Sequence, residues 1–244
     1  MADAAIIFDV DGVLLHLTPE EEDAFFWPFE QLHGLTGLSR DWDSYRIRND
    51  ENIIAEILEN HLRRKPSEAE HKAIVETYIA RWKEQLAAAR LAPVAIPGAR
   101  RLLADLGSAS AMIGIATANL REAARLRLGQ AGLWTYVDRL AHGADRGGTK
   151  ADILGRAIAA AGTPKHRIVY VGDNLTDVDA GLANGVHFIG FSTHPRRRER
   201  LLSAGAPHVA GDHRQTLQYI RNHLGLSITP EACLLTGWPA VSNP

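Results

Sequence analysis

The sequence predicts an α/β fold, a doubly wound parallel sheet that carries an inserted all-helical unit. Three observations in the 244-residue chain predict it. Short apolar runs rich in Ile and Val alternate with helical patterns through the second half, as right-handed strand-helix-strand crossovers require. Residues 17–92 hold helical periodicities and no clear strand. A buried strand nevertheless precedes that stretch, at the N-terminus. The expected organisation is an α/β core of residues 1–16 and 93–230, a helical insert of 17–92, and a tail of 231–244.

The run Ala5-Ile6-Ile7-Phe8-Asp9-Val10-Asp11-Gly12-Val13-Leu14 reads as a strand buried on both faces, ending in two acids and a glycine. Thr18-Pro19 followed by Glu20-Glu21-Glu22 starts a first helix, closed by Gly34. A second begins near Asp50, with Ile53, Ile54, Ile57 and Leu58 on one face. Ser67 and Glu70 form a capping-box pattern for a third, with the stripe Ile74, Tyr78, Trp82 and Leu86. After Pro93 and Pro97-Gly98 the alternation begins. Strands are expected at Met112–Ala116, Val137–Ala141, Ile168–Val171 and His187–Phe191. Helices are expected at Leu120–Ala131, Lys150–Ala161 and Thr176–Asn184.

Composition narrows the class. A formal net charge of -2 offers no general attraction to nucleic acid or acidic membranes. No apolar segment approaches the roughly 20 residues that cross a bilayer. Cys233 is the only cysteine, so no internal disulfide forms, and Met1-Ala2-Asp3 runs straight into the strand without a signal-peptide pattern. The expectation is a soluble cytoplasmic protein, with monomer and homodimer equally open.

Chemistry collects where the strands should end. Side chains two apart on a strand point the same way, so Asp9 and Asp11 would project together. Desolvated and mutually repelling, they need a cation or a shared proton. Thr117-Ala118-Asn119 follows the second core strand and offers a hydroxyl and free amides to a phosphate; alone, such a Thr is an ordinary helix cap. Lys150, after Gly147-Gly148-Thr149, is a cation at the unfavourable end of a helix, though a single lysine there has a plain reading as a solvated side chain. Gly172-Asp173-Asn174-Leu175-Thr176-Asp177 adds two acids at the crevice.

In this order the clusters resemble the haloacid dehalogenase superfamily of phosphotransferases, over Ala4 to about Ala210. FDVDGVL looks like its first motif, Thr117 its second, Lys150 its third and GDNLTD its fourth. The insert looks like the cap of the phosphoglycolate-phosphatase-like branch. The resemblance implies that Asp9 attacks phosphorus and that Asp11 serves as general acid, then general base. It implies Mg²⁺ held by the carboxylates of Asp9 and Asp173 and the carbonyl of Asp11. Thr117, Ala118, Asn119 and Lys150 would hold the phosphate, Asn119 touching either the phosphate or Asp9. Asp177 would orient a metal-bound water or Lys150. The family's dehalogenases lack an acid at the Asp11 position, so phosphoester chemistry is favoured. Around Lys150 the sequence reads GGTKADIL, without the proline that often follows the lysine in this branch.

Trp42, Tyr45 and Arg46 lie in an irregular stretch of the insert and are candidates for selecting the leaving group; anchoring aromatics would look the same. The run Arg196-Arg197-Arg198 reads as a solvated helix face. The resulting expectation is a Mg²⁺-dependent phosphoric monoester hydrolase acting on a small phosphorylated metabolite through an aspartyl-phosphate. A phosphomutase of the same superfamily is the neighbouring alternative, and a non-catalytic phosphate-binding protein the more distant one.

Overall fold

The computed structural model describes residues 3–109 and 111–226. A six-stranded parallel sheet has the order β3-β2-β1-β4-β5-β6. Its strands are β1 (Ala4–Phe8), β2 (Ala111–Ala116), β3 (Ala141–His142), β4 (Ile168–Gly172), β5 (His187–Phe191) and β6 (His208–Ala210). Alternate residues of β1 feed two separate cores. Ile6 and Phe8 pack with Leu102, Leu103 and Ile220 on one face. Ala5 and Ile7 pack with Ile153, Leu154 and Val178 on the other.

The helices are α1 (Pro19–His33), α2 (Asp50–Leu62), α3 (Glu68–Ala87), α4 (Ala99–Gly107), α5 (Arg121–Gln130), α6 (Trp134–Val137), α7 (Lys150–Ala161), α8 (Leu175–Asn184), α9 (Pro195–Ser203) and α10 (His213–Leu224). Capping boxes start α1 at Thr18–Glu21 and α3 at Ser67–Glu70, and Gly34 closes α1 in the left-handed conformation. Helices α1–α3 share a third core of Phe25, Phe29, Ile54, Leu58, Ile74 and Trp82, into which Leu120 and Ala123 reach from the sheet side. The two chain crossings between sheet and helical layer pair as a short ribbon. Leu15 bridges Ala95 in antiparallel fashion, His16 N donates to Val94 O at 2.9 Å, and Ile96 N donates to Leu14 O at 2.9 Å.

Several elements differ from expectation. The stretch 137–141 is the end of α6, a 3-10 turn over Asp138–Leu140 and only the first residue of β3. Val137 and Leu140 are both buried, and that three-residue spacing suits a helical turn rather than an alternating strand. The first strand stops at Phe8, because the amides of Leu14 and Leu15 fold back onto the Val10 carbonyl. Helices α4 and α10 and strand β6 complete the core beyond the elements expected. The tail with Cys233 lies outside the described residues.

Candidate active site

Asp9 and Asp173 flank the point where the strand order turns from β1 to β4, where α/β sheets open a crevice beyond their carboxyl ends. Asp9 follows β1 directly, and its amide donates to the Val171 carbonyl of β4 at 2.8 Å. Its Oδ1 accepts from the Val10 amide at 2.7 Å and lies 2.8 Å from Lys150 Nζ. Lys150 is the first residue of α7, fixed there by the Thr149–Asp152 capping box. Its ammonium is also 3.2 Å from Asp177 Oδ1. Asp177 accepts from Tyr170 Oη at 2.6 Å and from the amides of Asp173 and Asn174 at 3.2 and 3.1 Å. Both its oxygens are thus engaged, and it orders Lys150 and the β4–α8 turn together.

Burial dominates the electrostatics of this group. Desolvation, with Asp177 and Asp173 nearby, pushes Asp9 up to about 8 against the pull of Lys150. Desolvation and Asp177 likewise push Asp173 up to about 7. Burial alone would lower Lys150, but Asp177 and Asp9 more than offset it and hold the ammonium charged. The acids therefore outweigh their cations, and a further cation is the natural complement.

Asp11 lies beyond the strand and faces a network that the sequence did not announce. Arg127 of α5, almost wholly buried, places Nη2 2.6 Å from Asp11 Oδ1 and 3.0 Å from Glu21 Oε2 of α1. Its Nη1 donates to Asn119 Oδ1 at 2.7 Å, and Asn119 Nδ2 donates to Asp11 Oδ2 at 2.9 Å. Asn119 therefore touches Asp11, not Asp9. Burial would raise Asp11, yet the charge and hydrogen bond of Arg127, with that of Asn119, hold it below the usual carboxylate range. The signal was present in the helix pattern: Arg127 is four residues after Ala123, three after Ala124 and next to Leu128, all on the buried face.

A cavity of about 390 Å³ joins these groups to the helical layer. Asp9, Asp11, Ala118, Asn119, Lys150 and Asp173 line its floor, and Phe25, Trp42, Asp50, Tyr78 and Trp82 its roof. Thr117 is fully buried beneath the floor, where its hydroxyl accepts from the Asn119 amide at 3.2 Å. Of the three insert candidates only Trp42 reaches the cavity, with Nε1 donating to Glu22 Oε1 at 2.8 Å. Tyr45 turns its hydroxyl to the Ser39 carbonyl at 2.7 Å, and Arg46 pairs with Glu59 at 2.8 Å on the surface. Both lie outside the cavity because these local partners hold them. The N-terminus of α2 supplies roof residues instead: Asp50 N donates to Ala118 O at 2.9 Å and Asp50 Oδ2 accepts from Leu120 N at 2.8 Å. Arg197 departs from a purely solvated role. Its Nη1 donates to Asp173 Oδ2 at 2.9 Å, with the side chain 55% exposed.

The donor set fits a hard divalent cation. Asp9, Asp173 and Asp177 each place a carboxylate oxygen within 4.8 Å of the others. Since Asp177 is committed to donors, Asp9 and Asp173 are the available pair, and all-oxygen ligation suits Mg²⁺.

Residues 6–191 match the family model of the haloacid dehalogenase-like hydrolases. Among solved structures, CbbY from Rhodobacter sphaeroides in complex with phosphate superposes with a TM-score of 0.65 at 23% identity, covering 87% of this chain and 95% of that one. A HAD family hydrolase from Deinococcus radiodurans R1, with bound phosphate and sodium, gives 0.58 at 21% identity, covering 94% and 100%. The tyrosine-protein kinase PtkA of Mycobacterium tuberculosis is 34% identical over 87 residues, which span 35% of this chain and only 30% of that protein. Among the described residues no helix is long and apolar enough to cross a membrane.

Proposed function

The chain belongs to the haloacid dehalogenase-like hydrolase family, and from that premise we propose that it is a Mg²⁺-dependent phosphatase of a small phosphorylated metabolite. Residues 1–16 and 93–230 form the core in this reading, and 17–92 the cap. A cytoplasmic location belongs to it too, supported by the lone cysteine. The observation that carries the reading is the placement of Asp9, 2.8 Å from Lys150, beside Asp11 on one cavity floor.

Asp9 is the nucleophile. Its attack on phosphorus forms the aspartyl-phosphate and expels the alkoxide, dividing one difficult step into two. Asp11, ionised in the resting site, first takes up a proton from solvent; it gives that proton to the departing oxygen, then takes one from the water that hydrolyses the acyl phosphate. Lys150, the Ala118 and Asn119 amides and the buried Thr117 shape the cradle for the equatorial oxygens, where charge spreads during transfer. The Asp9 and Asp173 carboxylates, with the Asp11 carbonyl, would hold Mg²⁺, whose charge would let an anionic carboxylate meet an anionic phosphate. Asp177 keeps Lys150 aimed at Asp9.

Phosphate release from p-nitrophenyl phosphate and a panel of phosphorylated metabolites, with Mg²⁺ and with EDTA, tests this. Release that requires the metal is the expected result. Isomerisation of an added phosphosugar without release would establish a mutase instead. No turnover by a folded, Mg²⁺-binding protein would leave only a phosphate-binding role.

A further inference from the structure

Arg127 belongs to no motif of the family pattern, yet its guanidinium sits where cap and core meet over the general acid. The contacts are unequal in kind. Asn119 and Asp11 are core groups. Glu21 lies on α1, and the His16 carbonyl, 3.4 Å from the same Nη2, lies on the crossing ribbon. One nitrogen, Nη2, thus serves Asp11, Glu21 and His16 together.

As plain packing the arrangement is a poor solution. Arg127 and Glu21 are both almost wholly buried, with side-chain exposures of 2% each. Neither is fully satisfied, since Arg127 Nε and Glu21 Oε1 find no partner among the described residues. Taking such charges out of water is expensive, and apolar side chains of similar volume commonly do as well or better. The surroundings are suited to that alternative: Trp82 lies under the guanidinium at 5.8 Å, and Phe25 and Tyr78 are neighbours in the same cavity wall. What an apolar residue could not do is orient a carboxylate from each side of the interface.

We propose that Arg127 is a positioning residue that latches the cap through Glu21 and, by the same guanidinium, sets the orientation of Asp11. With the cap down, Nη2 is divided between Glu21 and Asp11, so Asp11 is held by Asn119 and a shared donor. When the cap lifts about the ribbon, Glu21 leaves with it, and Arg127 closes on the core group Asp11. Cap closure therefore loosens Asp11 toward the leaving oxygen at the moment the cavity is sealed. Because the coupling is between two equilibria, it acts in both directions: whatever draws Asp11 away from Arg127 strengthens the hold on Glu21. The latch itself needs only the contacts above; the role assigned to Asp11 rests on the phosphatase reading.

Two variants and two readouts separate these parts. Glu21→Gln keeps shape and removes only the cap-side charge. Arg127→Met keeps most of the volume and removes the guanidinium. Amide hydrogen exchange reports the latch: both variants should exchange faster at residues 14–17 and 94–96, with β1 and β4 as protected as in the parent. Unchanged exchange at the ribbon in Glu21→Gln overturns the latch, and general loss of protection in Arg127→Met transfers that arm to Glu21→Gln. Leaving-group dependence reports the positioning. An alkyl phosphate needs a proton on its leaving oxygen, whereas the p-nitrophenolate burst does not. In Arg127→Met, kcat for the alkyl ester should fall by roughly 10²-fold, the lower range for a general acid, while the p-nitrophenolate burst rate changes less than about twofold. Equal losses on both overturn the positioning role. A parent protein that hydrolyses neither ester refutes the phosphatase reading, and the exchange arm still decides the latch.

Discussion

Gly12 packs directly against the carboxylate of Asp173, so closely that a Cβ at position 12 would take the place of that group. The backbone there is also left-handed, with φ of 73°. The glycine after the paired acids is therefore needed twice: for the turn that leaves β1, and for the approach of the two acid-bearing loops. Gly12→Ala should displace Asp173, weaken Mg²⁺ by at least about tenfold and carry a backbone penalty of roughly 1 kcal/mol. Calorimetric Mg²⁺ titration alongside thermal melting checks this. Parent-like Mg²⁺ affinity in the variant would refute the contact.

Asp9→Asn removes the proposed nucleophile and one charge of a crowded set. Turnover should fall at least about 10³-fold, in the range of losses seen when a covalent nucleophile is deleted. Stability should respond in the other direction. Burial raises Asp9 to about 8 from its ordinary 3.8, so without metal the folded protein binds more protons than the unfolded chain between those limits. Stability from this group is then present at low pH and lost as pH rises toward 8. In EDTA at pH 8, Asp9→Asn should melt higher than the parent, and Mg²⁺ should raise the parent more than the variant. A variant that melts lower in EDTA and gains equally from Mg²⁺ would count against the assignment.

Much of this is legible in the sequence alone. Asp9, Asp11, Asp173 and Asp177 carry strand-end positions that local rules translate into a common crevice, whereas Lys150 reads locally as a solvated side chain and joins them only through the family resemblance; the structure brings all five to one place. Thr117 and Asn119 are legible as neighbours of that crevice, but their partners are not. Asn119 joins Asp11, across 108 residues of chain, and no local period encodes such a pairing. Arg127 lies at the spacing of the buried Ala123 and Ala124, but an arginine in a helix that also carries Arg121 and Arg125 reads as solvated. Its inward place depends on Glu21, from an element a hundred residues away. Tyr45 and Arg46 mislead for the opposite reason, since partners at Ser39 and Glu59 hold them on the surface of the helical layer.

Arg197 competes with any cation for Asp173 Oδ2, at 2.9 Å. The pair is solvent-facing on the arginine side, so its strength belongs to the range of exposed ion pairs, up to about 1 kcal/mol. Arg197→Gln should accordingly tighten Mg²⁺ by a few fold, up to about fivefold, read by titration at low ionic strength. The difference should shrink as salt is added. Weaker binding in the variant would mean that Arg197 supports the site instead of opposing it.

His213 should make the protein acid-sensitive through the turn that carries Asp11. The ring is fully buried and stacks on Phe191 with centroids 4.4 Å apart. Its Nε2 lies 2.9 Å from the Val13 carbonyl; a carbonyl only accepts, so Nε2 carries the hydrogen and Nδ1 the lone pair. Nδ1 has no partner. Burial lowers His213 to about 4 from 6.5, although the Val13 bond and Asp212 oppose it. Between those limits the unfolded chain takes up a proton that the folded protein refuses. Stability from this group is whole above pH 6.5 and is lost as pH falls toward 4, by roughly 3 kcal/mol at about 1.4 kcal/mol for each factor of ten in proton affinity. His187 adds a smaller loss of the same sign, since burial and the adjacent His223 and His208 lower it to about 4 as well. Its ring is only partly buried, against the full burial of His213, so His213 dominates. His213→Gln keeps an N–H for Val13 and cannot be protonated. It should start less stable at pH 7.5 and show a shallower fall in melting temperature to pH 4.5, and equal slopes in the two proteins would rule His213 out.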